Sequence, residues 1–512
     1  MKDEIDTMHS RGVWKLVDQP SNAKPVGCRW VYTVKRDENG KIVRFKARLV
    51  AQGYTQIKGE SFDETFSPVI NFSLIRFFFS LLVSLNGWNH TQCDIKGTYL
   101  YASLDKEVYM SQPPGFVKKG EESKVCKLDR AIYGLHQSGR EWFFEMHRVL
   151  TGIGFTKFEG CNCAYMFKSD TVLILYVDDF VLFSRTSDVS KMVIDILSTH
   201  FDVKVLGKTR KLLGVEFEQY KGNVFMHQES YINEVADRYM QYKFPIASLP
   251  ISKGSVYSKS QCPKSEEELK EISQLPYRNI LGCLSFIASR TRPDISYAVN
   301  IFSQFQSNPG IFHWNGLLKL LGYVFNTKSL KLKLSCNKAQ LVVYSDADFA
   351  SNRDDRTSVG GQLVMLDNSP IEWRTFKQKC VTLSTMESEF VAMTEATREL
   401  IWFDRILIEC FEHNVILGKP IQSTLFVDNM ATIDFVKSPI ENCRSKHIDV
   451  KLFFVRDLVF KNVFNLKYVN SKLNLADIFT KPLTKFELEK FVSCIFGNCE
   501  IVDVLKLLIM YN

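Results

Sequence analysis

Between Thr171 and Ser184 the chain consists of two apolar runs, Thr171 to Val177 and Phe180 to Phe183, separated only by Asp178 and Asp179. Runs of this length and β-branched content predict a buried hairpin with two carboxylates at its tip. Carboxylates at the end of an apolar element are costly unless neutralised, so a bound cation is one reading. A plain Asp-Asp turn, stabilised by side chain to backbone hydrogen bonds, is the other. Asp94, ending an earlier strand that reads Gln92-Cys93-Asp94-Ile95, offers an opposing carboxylate. Such an oxygen cage suits a hard cation such as Mg²⁺, and two ions about 3.5–4 Å apart would clamp both reacting oxygens of a phosphoryl transfer.

At 512 residues the chain has room for about three domains, and 45% hydrophobic with 24% charged residues is a globular composition. The net charge of +8 is mild but concentrated: Lys24 to Lys58 holds nine basic and two acidic residues. There Asn39-Gly40 predicts a type I′ turn joining strands Trp30 to Arg36 and Lys41 to Val50. Lys35, Arg36, Lys41, Arg44, Lys46 and Arg48 interleave with Trp30, Tyr32, Phe45 and Tyr54, which suits phosphate contacts with apolar support. A solvated basic hairpin is the alternative.

Helical spacing is expected over Ser73 to Leu85, Gln137 to Thr151, Asp188 to His200 and between Tyr277 and Asn326, with a break at Arg292-Pro293. The polar stretch Ser252 to Glu271 reads as a linker between two lobes. Beyond Leu341 strands alternate with helices, and Ser384 with Glu387 makes a capping box for a long helix, Thr385 to Phe411. Thirteen cysteines without a C-x-x-C pair, and a start that is no signal peptide, point to a reducing, intracellular protein. Cys161 with Cys163, and Cys494 with Cys499, have no second pair at zinc spacing and read as buried thiols. Asn71 to Leu85 carries Arg76 and is too short to span a membrane.

Six strings carry a family resemblance: Phe45-Lys-Ala-Arg-Leu-Val-Ala-Gln-Gly-Tyr54, Phe62-Asp-Glu-Thr-Phe-Ser-Pro-Val69, Tyr109-Met-Ser-Gln-Pro-Pro-Gly-Phe116, Tyr133-Gly134-Leu135, Tyr176-Val177-Asp178-Asp179 and Arg292-Pro-Asp-Ile-Ser-Tyr-Ala-Val299. With them the chain, from about Gly12 to Leu483, closely resembles the reverse transcriptase and ribonuclease H region of the Pol polyprotein of copia-type long-terminal-repeat retrotransposons. The resemblance implies an α+β multidomain fold: a right-hand polymerase with fingers, palm and small thumb over 1–250, connection helices over 251–340, an RNase H-like α/β domain over 341–485, and a tail over 486–512.

It also implies roles. Asp94, Asp178 and Asp179 become the palm carboxylates, with the Ile95 carbonyl a further metal contact. Tyr99 matches the aromatic gate that excludes a ribose 2′-hydroxyl, a packed core tyrosine being the alternative. Lys46 and Arg48 match the positions that hold the incoming triphosphate, Gln137 the position that braces it against the template, and Lys204 a candidate general acid. In the second half, Tyr344-Ser-Asp-Ala-Asp348, Ser384-Thr-Met-Glu-Ser-Glu389, Val427-Asp428-Asn429 and Leu475-Ala-Asp-Ile-Phe-Thr-Lys-Pro-Leu483 follow the order of the family's RNase H. Asp346, Glu387, Asp428 and Asp477 would then be its metal-binding carboxylates, Glu387 as a mere helix cap being the alternative. Independently of the family, two aspartates ending strands and a glutamate opening a helix can converge at one end of a sheet. His447 and Asp449 match a recurring string of no assigned role.

The chain departs from the family at Gly97-Thr98 (usually Thr-Ala), Tyr101-Ala102 (Asn-Gly), Gly139 (Pro) and Phe453 (His); both glycines are expected to loosen the backbone. No Asp-Thr-Gly or Asp-Ser-Gly protease triplet, zinc knuckle or integrase head is present. The expectation is the polymerase and nuclease end of a polyprotein, or a genomic copy of it. The activity implied is DNA synthesis on RNA or DNA templates plus cleavage of RNA in the hybrid, with two Mg²⁺ per site, Mn²⁺ as a substitute. RNA template, DNA primer and dNTPs are the implied ligands, a Gag particle and integrase the implied associates, with no membrane and a cytoplasmic, virus-like-particle or nuclear location. A degenerate or domesticated copy that only binds nucleic acid is the alternative.

Overall fold

The computed structural model describes residues 1–21, 23–36, 41–438 and 446–497. Two compact units emerge: one contains residues 1–70 and 89–208, the other residues 71–88 and the described residues after 208.

At the centre of the first unit is a six-stranded antiparallel sheet, in the order Val203–Gly207, Asn89–Ile95, Asp179–Ser184, Thr171–Tyr176, Ala164–Phe167, Thr156–Lys157. The expected hairpin forms its middle. Every residue from Val172 to Leu175 and from Phe180 to Phe183 is buried, so the unbroken apolar runs reflect a sheet covered on both faces. The helix Ser138–Ile153 buries Trp142, Phe143, Met146, Val149 and Leu150 at helical spacing and stops at Gly154, whose φ of +104° suits glycine. The helix Ser187–Ser198 is capped by Thr186, whose hydroxyl accepts from the Val189 amide.

A separate core gathers Ile5 and Met8 of the helix Lys2–Ser10, Leu49 and Ala51 of the basic hairpin, and Val108, Met110 and Leu128 of a three-stranded sheet. It fixes the base of the hairpin Cys28–Arg36 and Ile42–Ala51, paired from Cys28–Ala51 outward. Strand alternation sorts the interleaved residues by face. Arg48 pairs with Val31 and Lys46 with Thr33 on one face; Phe45 pairs with Val34 and Ala47 with Tyr32 on the other. Tyr32 and Phe45 are 68% and 75% exposed, so the aromatics lie behind the cations rather than among them. The Asn39-Gly40 turn and the side chains of Lys35 and Arg36 lie outside the described residues.

The second unit holds a four-stranded antiparallel sheet (Lys211–Leu212, Val215–Tyr220, Asn223–His227, Leu332–Leu334), the helices Tyr277–Arg290, Ser296–Ser303 and Ile311–Asn326, and a five-stranded mixed sheet. The mixed sheet runs Ser369–Lys377, Val359–Leu366, Gln340–Asp348, Ile421–Val427, Asn465–Tyr468. Its first three strands are antiparallel and its last two join in parallel. The helix Thr385–Glu412 packs on this sheet through Phe390, Met393, Thr397, Leu400 and Phe403.

This division differs from the linear order of domains expected from the sequence. Residues 71–88 form a helix, Phe72–Phe78, continuing as a wider π-helical turn, Phe79–Leu85, and they belong to the second unit. Arg76 explains why an apolar stretch keeps a charge. Its guanidinium donates to the carbonyls of Ile371, Ser289 and Arg290 and lies 4.0 Å from the Trp373 ring centre. The first unit ends at Lys208. Residues 252–271, expected as an inter-lobe linker, lie within the second unit, and the helix Glu266–Ser273 starts there under a Ser265 cap. The expected tail begins as the helix Lys485–Ile495. Among the described residues no helix is long and apolar enough to cross a membrane. Of the paired cysteines, Cys161, Cys163 and Cys494 are buried, while Cys499 lies outside the described residues.

Candidate active sites

In the first unit Asp94 and Asp179 are direct cross-strand partners, and Asp178 occupies the turn just before. The turn is held by its backbone: the Ile95 amide donates to the Asp178 carbonyl (2.9 Å) and Trp142 Nε1 to the Val177 carbonyl (2.7 Å). Val177 has φ +54°, a strained conformation for a β-branched residue that persists only where surroundings enforce it. Burial and the charges of Asp178 and Asp94 push the Asp179 carboxyl up to about 6, although Gln92 hydrogen-bonds it. Burial and the Asp178 charge raise Asp94 too, against the opposing pull of Lys204, Lys46 and Lys96. Two carboxyls held up by burial and by the Asp178 charge beside them fit a multivalent cation, which relieves both burial and repulsion.

The same unit carries the other sequence-derived residues. Lys204 is the cross-strand partner of Asp94 on the opposite side from Asp179. Tyr99 is half-buried, meets Tyr133 edge-on (5.1 Å between centres), and is raised in pKa by burial and by the Asp178 charge. The Arg48 guanidinium lies 4.8 Å from the centre of the Tyr133 ring. The Ile95 carbonyl accepts from the Thr98 hydroxyl at 3.0 Å, so it is already bonded within the chain. Gln137 departs from its expected role. It has no exposed surface, and its amide is spent on the Ser61 carbonyl (2.8 Å) and the Gln56 side chain (3.1 Å), so it braces the loop after the hairpin rather than a ligand. Glu4, missed in the sequence, is half-buried within reach of the charges of Lys46 and Arg48. Nothing local in Met-Lys-Asp-Glu signals this; only the return of the hairpin brings it close.

In the second unit Asp346, Asp428 and Asp477 have ligand oxygens within 4.8 Å of one another, the one such acidic, His or Cys group of three among the described residues. Asp346 lies on the central strand and Asp428 follows the parallel neighbour, one step beyond the Ser345–Val427 pair. Asp477 arrives on a helical turn, Leu475–Phe479, which Asn474 ties to the sheet by donating to the Ser345 carbonyl (2.9 Å). Gly361, opposite Asp346, permits that approach: a Cβ there would lie 2.7 Å from Phe479 and Thr480 side-chain atoms.

Glu387 does not join this cluster. Its carboxylate accepts from the Leu383 amide (2.6 Å) while its own amide is capped by the Ser384 hydroxyl (3.2 Å), which spends it on the helix start. The fourth carboxylate is Glu389, two residues on. It is 7% exposed, its pKa is raised by burial and by the charges of Asp346 and Asp428, and its Oε2 is buried without a hydrogen-bond partner. Both glutamates stand in the same string, and a rotation of about 200° between them decides which one faces the sheet. Asp477 Oδ1 is likewise buried and unpartnered, and burial with the Asp346 charge raises this carboxyl strongly. Two orphaned carboxylate oxygens in a buried acidic cluster fit a cation. A cation of the chain already touches the far edge: Lys481 Nζ lies 3.1 Å from Asp477 and 3.9 Å from Asp346, and the Thr480 hydroxyl donates to Asp346. The side chains of His447 and Asp449 lie outside the described residues.

Residues 11–251 match the family described as reverse transcriptase (RNA-dependent DNA polymerase). They belong to the reverse transcriptase family. This reverse transcriptase domain and the chain beyond it are 34% identical over 498 residues to the Retrovirus-related Pol polyprotein from transposon TNT 1-94 of Nicotiana tabacum, covering 96% of this chain and 37% of that one. The polyprotein from transposon RE1 of Arabidopsis thaliana is 34% identical over 501 residues, covering 96% and 33%. The chain thus spans about a third of the length of these curated relatives. Among solved structures it is similar in fold to a foamy viral protease-reverse transcriptase dRH in complex with double-stranded DNA, with 14% identity and a TM-score of 0.50, covering 92% of this chain and 70% of that one.

Proposed function

We propose that the first unit synthesises DNA on an RNA or DNA template from dNTPs, and that the second cleaves RNA in the resulting RNA·DNA hybrid, each with Mg²⁺. The observation that carries the reading is the opposition of Asp94 and Asp179 beside Asp178, with Lys46, Arg48, Tyr99 and Lys204 in the same unit. Asp94, Asp178 and Asp179 would hold the ions of the first site, and Asp346, Glu389, Asp428 and Asp477 those of the second. Bound divalent ions supply a lowered pKa for the attacking hydroxyl or water and neutralise the leaving oxygen.

The chain's own residues do the rest. Lys46 and Arg48 offset the charge of the triphosphate, and stacking on Tyr133 keeps the Arg48 guanidinium from wandering. Tyr99, held edge-on by Tyr133, fills the volume a 2′-hydroxyl needs. Lys204, held opposite Asp94, is the candidate proton donor to the leaving pyrophosphate. In the second site Lys481 and Thr480 fix Asp346 and Asp477, leaving Asp477 Oδ1 and Glu389 Oε2 unbonded by protein. The test is Mg²⁺-dependent extension of oligo(dT) on poly(rA) by the purified chain. Binding of the hybrid without any extension would instead support a non-catalytic nucleic-acid-binding protein.

A further inference from the structure

Tyr99 sits in one helical turn, Thr98–Tyr101, between two positions where this chain departs from the family, Gly97 before it and Tyr101 after it. Both departures meet one side chain. Arg11, which closes the helix Lys2–Ser10, donates from Nη1 to the Gly97 carbonyl (2.8 Å) and from Nη2 to the Lys96 carbonyl (3.0 Å) and the Tyr101 hydroxyl (2.9 Å). Its guanidinium lies 4.1 Å from the centre of the Tyr101 ring.

Gly97 is required here for two reasons. Its φ is +65°, and a Cβ would stand 2.4 Å from Arg11 Nη1. Threonine, the family's usual residue, would strain the backbone and expel the guanidinium. Asparagine in place of Tyr101 would remove the aromatic face on which the guanidinium rests. The expected loosening at Gly97 is therefore not what the structure has: the glycine is bonded in place. The Tyr101 hydroxyl also accepts from the Asp202 amide (2.7 Å), and the Asp202 carboxylate pairs with Lys96 (3.0 Å). The Tyr101 ring packs edge-on against Phe201 (5.1 Å) and near Trp142 (6.4 Å), the residue whose indole holds the Val177 carbonyl. The segment carrying Tyr99 is thus tied at both ends, and through Trp142 to the turn that bears Asp178.

We propose that Arg11, Gly97 and Tyr101 form a clamp that fixes the Tyr99 ring, making Arg11 a positioning residue for discrimination between deoxyribose and ribose. The inference rests on the reading of Tyr99 as the sugar gate. A steric gate rejects one extra oxygen only if its ring cannot retreat, and a supporting shell that is about 1 Å too loose forfeits the selectivity.

The experiment measures incorporation of dTTP and UTP on poly(rA)/oligo(dT) by the full chain and by Arg11→Ala, Arg11→Lys, Tyr101→Phe and Tyr99→Val, with melting temperatures for each. Arg11→Ala is expected to lower the dTTP-to-UTP ratio of kcat/KM by about tenfold while kcat for dTTP stays within about threefold. Tyr101→Phe, which loses only the hydroxyl, and Arg11→Lys, which cannot make the forked contact, are expected to lower it less. An Arg11→Ala protein whose ratio is unchanged, with both nucleotides used equally less well, overturns the clamp. If Tyr99→Val leaves the ratio unchanged, the gate reading falls and the clamp's role with it. Should Arg11→Ala not fold, Tyr101→Phe decides: an unchanged ratio overturns the proposal.

Discussion

Asp94 and Asp179 face each other directly across neighbouring antiparallel strands, while the turn between them and Asp178 is fastened by backbone carbonyls to Ile95 and Trp142. The carboxylates therefore do not hold the turn together. Burial, together with the Asp178 charge, raises the pKa of Asp94 and Asp179, and the closeness of the carboxylates is tolerated because the surrounding sheet dictates it.

Asp178→Asn should abolish primer extension while changing hybrid affinity less than about twofold, because it removes an anionic ligand and leaves the turn and the basic hairpin intact. Gel-shift binding and extension on one hybrid measure both. Extension at the wild-type rate would sink the palm assignment.

The raised Asp179 gives a pH dependence with a definite sign. A carboxyl pushed up to about 6 binds its proton more tightly folded than unfolded, so its contribution to stability is present below about pH 4 and is lost as pH rises through about 6. In EDTA, the wild-type melting temperature should fall relative to Asp179→Asn between pH 4.5 and 7, and Mg²⁺ should raise the wild-type value more at pH 7 than at pH 5. An Mg²⁺ effect of equal size at both pH values would contradict this.

Glu389→Gln should eliminate cleavage of RNA in the hybrid and spare primer extension, since it removes charge at the acidic cluster. Glu387→Gln should retain cleavage within about threefold and cost at most about 1 kcal/mol of stability, the scale of a helix-cap contact. The reverse pattern in a hybrid-cleavage assay would return the metal role to Glu387.

Neutralising Lys46 and Arg48 together should raise the KM for dNTP at least tenfold and weaken hybrid binding far less, because Lys46 acts on Asp94 and Arg48 on Tyr133, both from the hairpin face opposite the exposed aromatics. Salt titration of hybrid affinity gives the control: a slope reduced by about two would place the pair on nucleic acid phosphates instead.

The positions of Asp94, Asp178 and Asp179 at strand ends were legible because their signal is local: a long apolar run leaves no ambiguity about where its two aspartates must emerge, and Asp94 lies near a strand end in the same way. Asp346 and Asp428 were legible for the same reason. Glu387 against Glu389 was not, since both stand in one string at the start of one helix and only the packed face of that helix separates a cap from a cluster member. Gln137 is polar and motif-placed, yet whether its amide meets a ligand or Ser61 depends on a loop distant in sequence.

What the sequence by itself determined is the set of elements and the chemistry at their ends: hydrophobic period, turn residues and caps act over a few residues and need no partner. What tertiary structure decided is which ends meet. Residues 71–88 join the second unit because the Arg76 guanidinium finds three carbonyls there, Glu4 reaches Lys46 and Arg48 because the hairpin folds back, and Gly97 is locked because Arg11 arrives from 86 residues away. Burial and long-range hydrogen bonding are properties of the assembled chain, so no window of sequence contains them.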